Sequence, residues 1–450
     1  MVTRSGSSPA TRHPSLGNEQ LRVAVIGGGY AGMAAATELA RNGVPVTIFE
    51  AARVLGGRAR RVETGSAKLD NGLHILLGAY RETLRLIELV KGSGEPSGLL
   101  RMPLELTIYP GFRLRAPRVP SPLHLLWALL SARGFGFSDR LAAVSFMLWA
   151  QRCSFRLAVD TTVSNLLASR RQPEVVSRYL WNPLCVSALN TPPAQASAQI
   201  FLNVLRDSLN GRRADSDLLL PTLDFSALFP ERAARYVQAR GGAVRMGVTV
   251  DAILPHEGGF RLSVDGEHFT HVIVAVSAHR AGALLVHHAQ LESLRRITDQ
   301  FTYQPIYSVF LQYASSARLP IRMGGLLSAH TQWFFDRGQL CGQHGLIGVV
   351  ISSSGVHQGF THEELALAVH VELAEHFPGL AKPQWHQVIA EKRATFSCTP
   401  GLQRPDNITP VAGLYLAGDY TASDYPATIE SAVRSGLRAA HLVLQNARQH

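Results

Sequence analysis

Gly27, Gly29 and Gly32 stand in the spacing G-x-G-x-x-G, directly behind the apolar run RVAVI at 22–26. A carboxylate, Glu50, follows 18 residues after the last of them, at the end of a second apolar run, VPVTIFE. Glycines so spaced suit a pyrophosphate: Gly27 permits a tight turn, Gly29 lets backbone approach the phosphates, and Gly32 lets a helix pack close to a strand. A helical pattern runs from Tyr30 to Arg41, and its first amides, Ala31 among them, face the phosphate charge. Glu50 can accept hydrogen bonds from both hydroxyls of a ribose. Strand, glycine turn, helix and strand in about 30 residues form a dinucleotide-binding unit.

Two further stretches decide which dinucleotide. After Glu50 comes AARVLGGRAR, where Gly56 and Gly57 offer another close-approach turn and Arg58 a cation near the pyrophosphate. Some 360 residues later, GLYLAGD reads as an apolar strand ending in Gly418 and Asp419, followed by a loop and a helix beginning near Pro426. Asp419 can reach ribitol hydroxyls, and the amides around Ala427, Thr428 and Ile429 can point at the electron-rich end of an isoalloxazine. A helix N-terminus stabilises nearby negative charge by about 0.3–1 kcal/mol, which favours an anionic reduced flavin. NAD needs no such distant half, so the expected ligand is FAD, held at its two ends by the two ends of the chain.

The elements that must position these residues are discontinuous. GGAVRMGVTVDAIL and FRLSVDGEHFTHVIVAVSA alternate short strands with turns. In FAD folds of this type such a piece packs beside the adenine, with backbone near Val250 in contact. The expected fold is α/β, a discontinuous Rossmann-like FAD-binding domain with an inserted mixed helical and antiparallel-sheet substrate domain. Residues 21–95, 225–285 and 395–447 are assigned to the first, and 96–224 and 286–394 to the second. The segment 96–224 is expected to be mainly helical, and 286–394 to carry strands such as YSVFLQY and GLIGVVISSS. Residues 1–20 are polar, lack an apolar signal core and read as a disordered tail.

Composition narrows the rest. Hydrophobic residues at 46% and charged residues at 17% describe a globular chain. Its net charge of +11 rests almost wholly on scattered arginines, with no basic run or zinc-finger spacing, which argues against nucleic acid. The cysteines Cys153, Cys185, Cys341 and Cys398 form no CxxC and give neither a metal cluster nor a disulfide framework, so no metal is expected and the setting reads as reducing and cytoplasmic. The apolar stretches LHLLWALL at 123–130 and LAAVSFMLWA at 141–150 are too short to span a bilayer. They suit buried helices or helices resting in a membrane interface. No second G-x-G-x-x-G follows any expected strand, so an external electron donor is expected.

The glycine fingerprint, GGR and GDYTASDYPATIESAVRSG resemble the flavin amine oxidase and carotenoid desaturase superfamily. Three stretches resemble one branch of it, the hydroxysqualene dehydroxylases of hopanoid synthesis: LDNGLHILLGAYRETLRLI at 69–87, WNPLCVSALNTPPAQASAQIFLNVLRDSL at 181–209, and SDLLLPTLDFSALFPERAARYVQARGG at 216–242. The resemblance extends from Leu21 to about Leu444 and implies reduction of hydroxysqualene to squalene by hydride from reduced, non-covalently bound FAD.

It also implies a hydrophobic isoprenoid substrate and peripheral contact with the cytoplasmic membrane face. His74, in a segment that runs near the flavin in this superfamily, is the first candidate for proton donor or flavin contact. Asn182, Cys185 and Asn190 in the branch-specific stretch, and Tyr303, Tyr307 and Trp333, are candidates to line a hydrocarbon tunnel. Asn190, before TPP, could equally end a helix. Cys398 lacks the motif of a covalent flavin link. The nearest alternative is an oxidative desaturase of a phytoene-like isoprenoid, since the FAD motifs do not report the direction of electron flow. A non-catalytic isoprenoid-binding subunit would not need both FAD ends. An amine oxidase is disfavoured because no lysine lies between Lys91 and Lys382.

Overall fold

The computed structural model describes residues 21–65, 67–264 and 266–447; the expected tail at 1–20 lies outside them. The run VAVI forms the strand Val23–Ile26, buried along its whole length. It pairs in parallel with Val46–Glu50 on one side and His271–Val274 on the other. Ala243–Met246 and Leu414–Leu416 complete a five-stranded parallel sheet at its two edges. The innermost strand of this sheet is wholly apolar and its neighbours nearly so, as expected of a parallel sheet buried on both faces.

The first helix, Tyr30–Arg41, crosses the C-terminal helix, Ile429–Asn446, at very short range. A side chain on Gly436 would place its Cβ 2.0 Å from the Ala31 carbonyl oxygen, so only glycine permits the approach. The two nucleotide motifs, far apart in sequence, are thereby fixed against each other. A helix at Arg81–Val90 joins them, its first amides accepting no side-chain cap of their own. Instead the buried Glu430 carboxylate at the start of the C-terminal helix receives the Glu82 and Thr83 amides at 3.2 and 2.9 Å and the Thr83 hydroxyl at 2.7 Å. A negative charge is stabilised at that helix N-terminus.

The second sheet has seven strands, ordered Trp385–Phe396, Tyr303–Gln312, Leu346–Ser352, Trp333–Asp336, Met323–Leu326, Glu105–Tyr109 and Phe112–Arg115. Pairing is antiparallel except between Met323–Leu326 and Glu105–Tyr109. YSVFLQY and GLIGVVISSS fall largely in the second and third strands, paired with each other as Tyr303–Gln312 and Leu346–Ser352. The segment 96–224 is mainly helical but also carries strands. It contributes the hairpin Glu105–Tyr109 and Phe112–Arg115, turned at Pro110–Gly111, and the strands Leu99–Met102 and Leu218–Pro221. The alternation ELTIY, then FRLR across a Pro-Gly turn, is the period-two signal that marks this hairpin. Helices Leu123–Leu130, Phe137–Arg152, Asn182–Leu189 and Ala198–Leu209 make up most of the rest. One hydrophobic core runs from the parallel sheet, at Ile26 and Val274, into this helical layer and the edge of the second sheet.

Candidate functional site

A single cavity of about 1090 Å³ lies between the two sheets, above the usual ~300–1000 Å³ of ligand sites. At one end stand the glycines. Gly27 holds φ +114, and a Cβ there would meet the Ala275 carbonyl at 2.6 Å; a Cβ on Gly32 would lie 1.9 Å from the Gly27 carbonyl. Gly29 differs from both. Its hypothetical Cβ would meet nothing closer than Gly57, at 3.8 Å, in a cleft that opens into the cavity. Gly29 is also the N-cap of the first helix and offers no side chain to its amides, so the first-turn N–H groups, with Tyr30 and Ala31 on the cavity wall, are open to an anion. Glu50 ends its strand with its carboxylate oriented by the Gly28 amide at 2.6 Å and the Ala52 amide at 2.7 Å. Val250 lies on the wall beside Val248, whose amide donates to the Glu50 carbonyl at 3.0 Å.

The opposite motif arrives from the C-terminal end. Arg58 Nη2 donates to Asp419 Oδ1 at 2.6 Å and Arg58 Nη1 to the Ala394 carbonyl at 2.8 Å, so Arg58 ties three segments together. Burial works to lower the Arg58 pKa, but Asp419 and, more weakly, Glu391 outweigh it and keep the guanidinium above its ordinary value. Arg404 binds the carbonyls of Asp419, Ser423 and Tyr425 and fixes the loop that leads to the C-terminal helix. Thr428 caps that helix, accepting from the Ser431 amide at 3.1 Å, while Ile429 and Glu430 occupy its first, unpaired positions on the cavity wall. Gly418 and Asp419 line the same cavity. All twelve residues expected to hold the cofactor therefore surround this cavity or, for Gly32, support its backbone.

These features suit FAD: a glycine cleft that a side chain would narrow, an uncapped helix N-terminus, a carboxylate held at the end of the second strand, and a second helix N-terminus at the far end.

Beyond the C-terminal loop the wall becomes apolar, with Leu104, Leu106, Leu184, Phe201, Leu205 and Met323. A small cavity of about 20 Å³ beneath the helix Leu123–Leu130 shares Leu104, Leu106, Leu184 and Leu209 with the main one. Trp333 is on the wall, its Nε1 donating to Ser187 Oγ at 2.8 Å.

Asn190 also reaches the wall, but in a structural role. It ends the helix Asn182–Leu189 in the left-handed conformation, donates to Thr395 Oγ1 at 2.9 Å, and accepts from the Ser353 amide at 2.7 Å. Asn182, Cys185, Tyr303 and Tyr307 do not line the cavity. Tyr307 points to the opposite side of its strand, into the core against the helix His362–His376, because side chains alternate along a strand. Cys185 is fully buried, and burial pushes its thiol well up.

His74 is on the cavity wall, edge-on to Phe225 with ring centroids 5.0 Å apart. Burial, aided by the Arg58 charge, pushes its pKa down to about 4. That shift favours the neutral ring, and the position on the cavity wall is compatible with either expected role, proton donor or flavin contact. Its Nε2 is buried with no partner among the described residues.

A polar pair escaped the sequence reading. Tyr425 Oη donates to Asp207 Oδ2 at 2.5 Å, and Arg206 Nε donates to Asp207 Oδ1 at 2.6 Å. Both Tyr425 and Asp207 face the cavity. Burial alone would raise the Asp207 pKa, yet the hydrogen bonds from Arg206 and Tyr425 hold it below the ordinary carboxylate value. Burial and that carboxylate push Tyr425 up to about 12, so it keeps its proton. Tyr425 lies three residues before the Thr428 cap; that closeness to the helix start was the one available sequence signal.

Residues 30–444 match the family of flavin containing amine oxidoreductases. The hydroxysqualene dehydroxylase of Rhodopseudomonas palustris is 31% identical over 94% of this chain and 98% of its own length. A 15-cis-phytoene desaturase of Synechococcus elongatus is 24% identical, over 94% of this chain and 96% of its own. Among solved structures, a cyclohexylamine oxidase from Brevibacterium oxydans superposes with a TM-score of 0.67 and 21% identity, covering 95% of this chain and 100% of that one; it shares the fold.

Proposed function

The chain belongs to the flavin containing amine oxidoreductases and, among them, to the hydroxysqualene dehydroxylases, and from that premise we propose that it converts hydroxysqualene to squalene. The observation that carries the reading is one cavity with a dinucleotide cradle at one end and a hydrocarbon lining at the other. Non-covalent FAD is the proposed cofactor, held by Gly27, Gly29, Ala31, Gly32, Glu50, Gly57, Arg58, Val250, Gly418, Asp419, Thr428 and Ile429. None of the four cysteines lines the cavity, which supports attachment without a covalent link. The division into residues 21–95, 225–285 and 395–447 against 96–224 and 286–394 is part of the same proposal. It is supported by the parallel sheet, which draws its strands from the first set alone.

Held in the cradle, reduced FAD would supply the hydride that, with one proton, exchanges the allylic C–O bond for C–H and releases the oxygen as water. The chain's own residues do the rest. Tyr425 and Asp207 interrupt an otherwise apolar wall and meet the single hydroxyl. Leucines and Phe201 exclude the bulk water that would capture a cation. The face of Trp333 stabilises positive charge developing along the hydrocarbon. His74, neutral, contacts the cofactor or substrate through its unpartnered Nε2.

Peripheral contact with the cytoplasmic membrane face is proposed as the route for so insoluble a substrate. No helix among the described residues is long and apolar enough to cross a membrane. The helix Leu123–Leu130 and the start of Phe137–Arg152 instead expose Trp127 (64%) and Phe137 (74%) with Leu123 and Leu141, beside exposed Arg118 and Arg133. Apolar side chains with flanking cations suit an anionic interface. A small cavity beneath that helix shares four lining leucines with the main chamber, which supports this face as the side of substrate entry.

The test is anaerobic: reduce the bound flavin chemically, add hydroxysqualene, follow flavin absorbance and identify the product by mass. Reoxidation with one squalene per flavin is expected. A flavin that stays reduced beside unchanged substrate would favour the oxidative desaturase, to be tried next with oxidised enzyme and polyenes.

A further inference from the structure

Where the strand Trp385–Phe396 meets the short helix Ala278–Leu284, cationic side chains gather on the rim of the cavity. Arg60, His279, Arg280 and Arg393 line it, and His279, Arg280, Lys392 and Arg393 are exposed. Their neighbours offer little countercharge. Arg58 is paired with Asp419, and the nearby Glu391 accepts from Asn71 Nδ2 at 3.1 Å. Arg60 donates to the Gly57 carbonyl at 2.8 Å. Among the described residues, no carboxylate lies within ion-pair distance of Arg60, Arg280, Lys392 or Arg393. Burial, and then the charges of Arg393, Arg280 and Arg58 converging on one ring, hold His279 below its ordinary pKa.

An aromatic stack backs this rim. The Arg393 guanidinium lies 5.9 Å from the Tyr303 ring centroid, and Tyr303 meets His279 edge-on at 5.9 Å. Tyr303 thus stands behind the surface, beside the Arg58–Asp419 pair that closes the proposed flavin site.

We infer that this rim, formed by Arg60, His279, Arg280 and Arg393, docks an acidic single-electron carrier protein that reduces the flavin. The inference rests on the reductive reading above. The chain has one glycine fingerprint, taken up by the proposed FAD, and the rim side chains come from three separate segments, exposed on two of them and half-buried at Arg60, instead of forming a second glycine-lined dinucleotide cleft. That arrangement fits a protein surface. Complementary charge would steer encounter and weaken with salt. Two carrier molecules are oxidised, each giving one electron, and two protons come from solvent. The pair of electrons leaves as hydride, so one C–O bond is exchanged for C–H and one water is released.

The experiment uses holoenzyme and a reduced acidic two-iron ferredoxin as probe. Affinity is measured by titration, and flavin reduction by anaerobic stopped flow, at low and high salt. Arg280→Glu and Arg393→Glu are each expected to weaken ferredoxin binding roughly tenfold, the size of one lost close charge pair, and to slow reduction alike, while flavin content read by absorbance stays at the wild-type level. Lys382→Glu, at the opposite end of the Trp385–Phe396 strand, serves as the remote control and is expected to match wild type. Wild-type affinity in both rim variants would overturn the inference. So would loss of flavin from them, which would make the cations part of the cofactor site, or saturable reduction by NADPH with no ferredoxin response. The chemically reduced wild type forming squalene tests the reductive reading separately, since it needs no carrier.

Discussion

The nucleotide end and the hydrocarbon end of the cavity are built on opposite logic. At the first, function is carried by backbone: glycines without side chains, amides without caps, strand ends that stop where a ligand begins. At the second, it is carried by side chains, and many alternative apolar residues would make an equally good wall. Backbone geometry tolerates few residue types and so leaves a mark in sequence. An apolar wall leaves almost none.

The sharpest way to test that contrast compares two glycines three residues apart. Gly32→Val drives a side chain into the Gly27 carbonyl, which a Cβ would approach to 1.9 Å. The expected outcome is loss of soluble protein, since the clash is with backbone that cannot give way. Gly29→Val meets no backbone closer than 3.8 Å at Cβ and instead fills the cleft toward Gly57. It should keep the fold by circular dichroism yet lose flavin affinity by about 1–3 kcal/mol, roughly ten- to hundredfold. Equal damage in both would mean that the cleft is part of the core and not a ligand surface.

At the hydrocarbon end the largest effect should come from the polar exception. Tyr425→Phe removes a hydrogen bond to a charged group, worth about 1.5–3 kcal/mol, and should lower kcat/KM for hydroxysqualene roughly 10- to 100-fold with flavin content unchanged. Replacing Leu184, on the same wall, by Met should change it less than threefold, a volume-conserving swap costing under ~1.5 kcal/mol at most. If Tyr425→Phe behaves like the leucine change, the hydroxyl is met elsewhere.

The same distinction explains what could be read in advance. Strand, glycine turn, helix and Glu50 were legible because each position answers a geometric demand, and so was the return of GLYLAGD to the same sheet. The candidates for the wall fared differently. Trp333 faces the cavity but Tyr307, two strands away in the same sheet, faces the other way; which side of a strand faces which core depends on register that a run such as YSVFLQY, apolar on both sides, does not encode. Asn190 was rightly open to a turn role, because a left-handed helix end favours asparagine. The Asp207–Tyr425 pair joins residues 218 apart in sequence and carries no motif. The hairpin at 105–115 had a clear alternation, outweighed by the strongly helical stretches after it.

Outside the cavity, the exposed face of Leu123–Leu130 offers a third kind of surface, apolar yet unpacked. Trp127→Ser with Phe137→Ser should leave thermal stability nearly unchanged, within about 0.5 kcal/mol for surface positions, while removing most flotation with anionic liposomes. Wild type that stays in the aqueous fraction would rule out the membrane route.

The smallest effect should be seen at His74, which stands where the two ends meet. Its pKa lies near 4 in the folded protein against the ordinary 6.5. Between those values the unfolded chain binds a proton that the folded ring refuses, so low pH favours unfolding. The stability contribution is therefore fully present above about pH 6.5 and is lost as pH falls toward 4. His74→Gln cannot take up that proton in either state. Its unfolding free energy should rise less steeply with pH across this window, by on the order of one proton, and the two curves should run parallel above it. An imidazolium acting as proton donor would give a different signature: the wild-type rate would fall as pH rises through the ring's titration and His74→Gln would lose that limb. A neutral ring without that role predicts instead that any fall in rate toward high pH survives the substitution. Denaturant titrations and pH–rate profiles of the two proteins decide between a histidine that shapes the junction and one that delivers a proton.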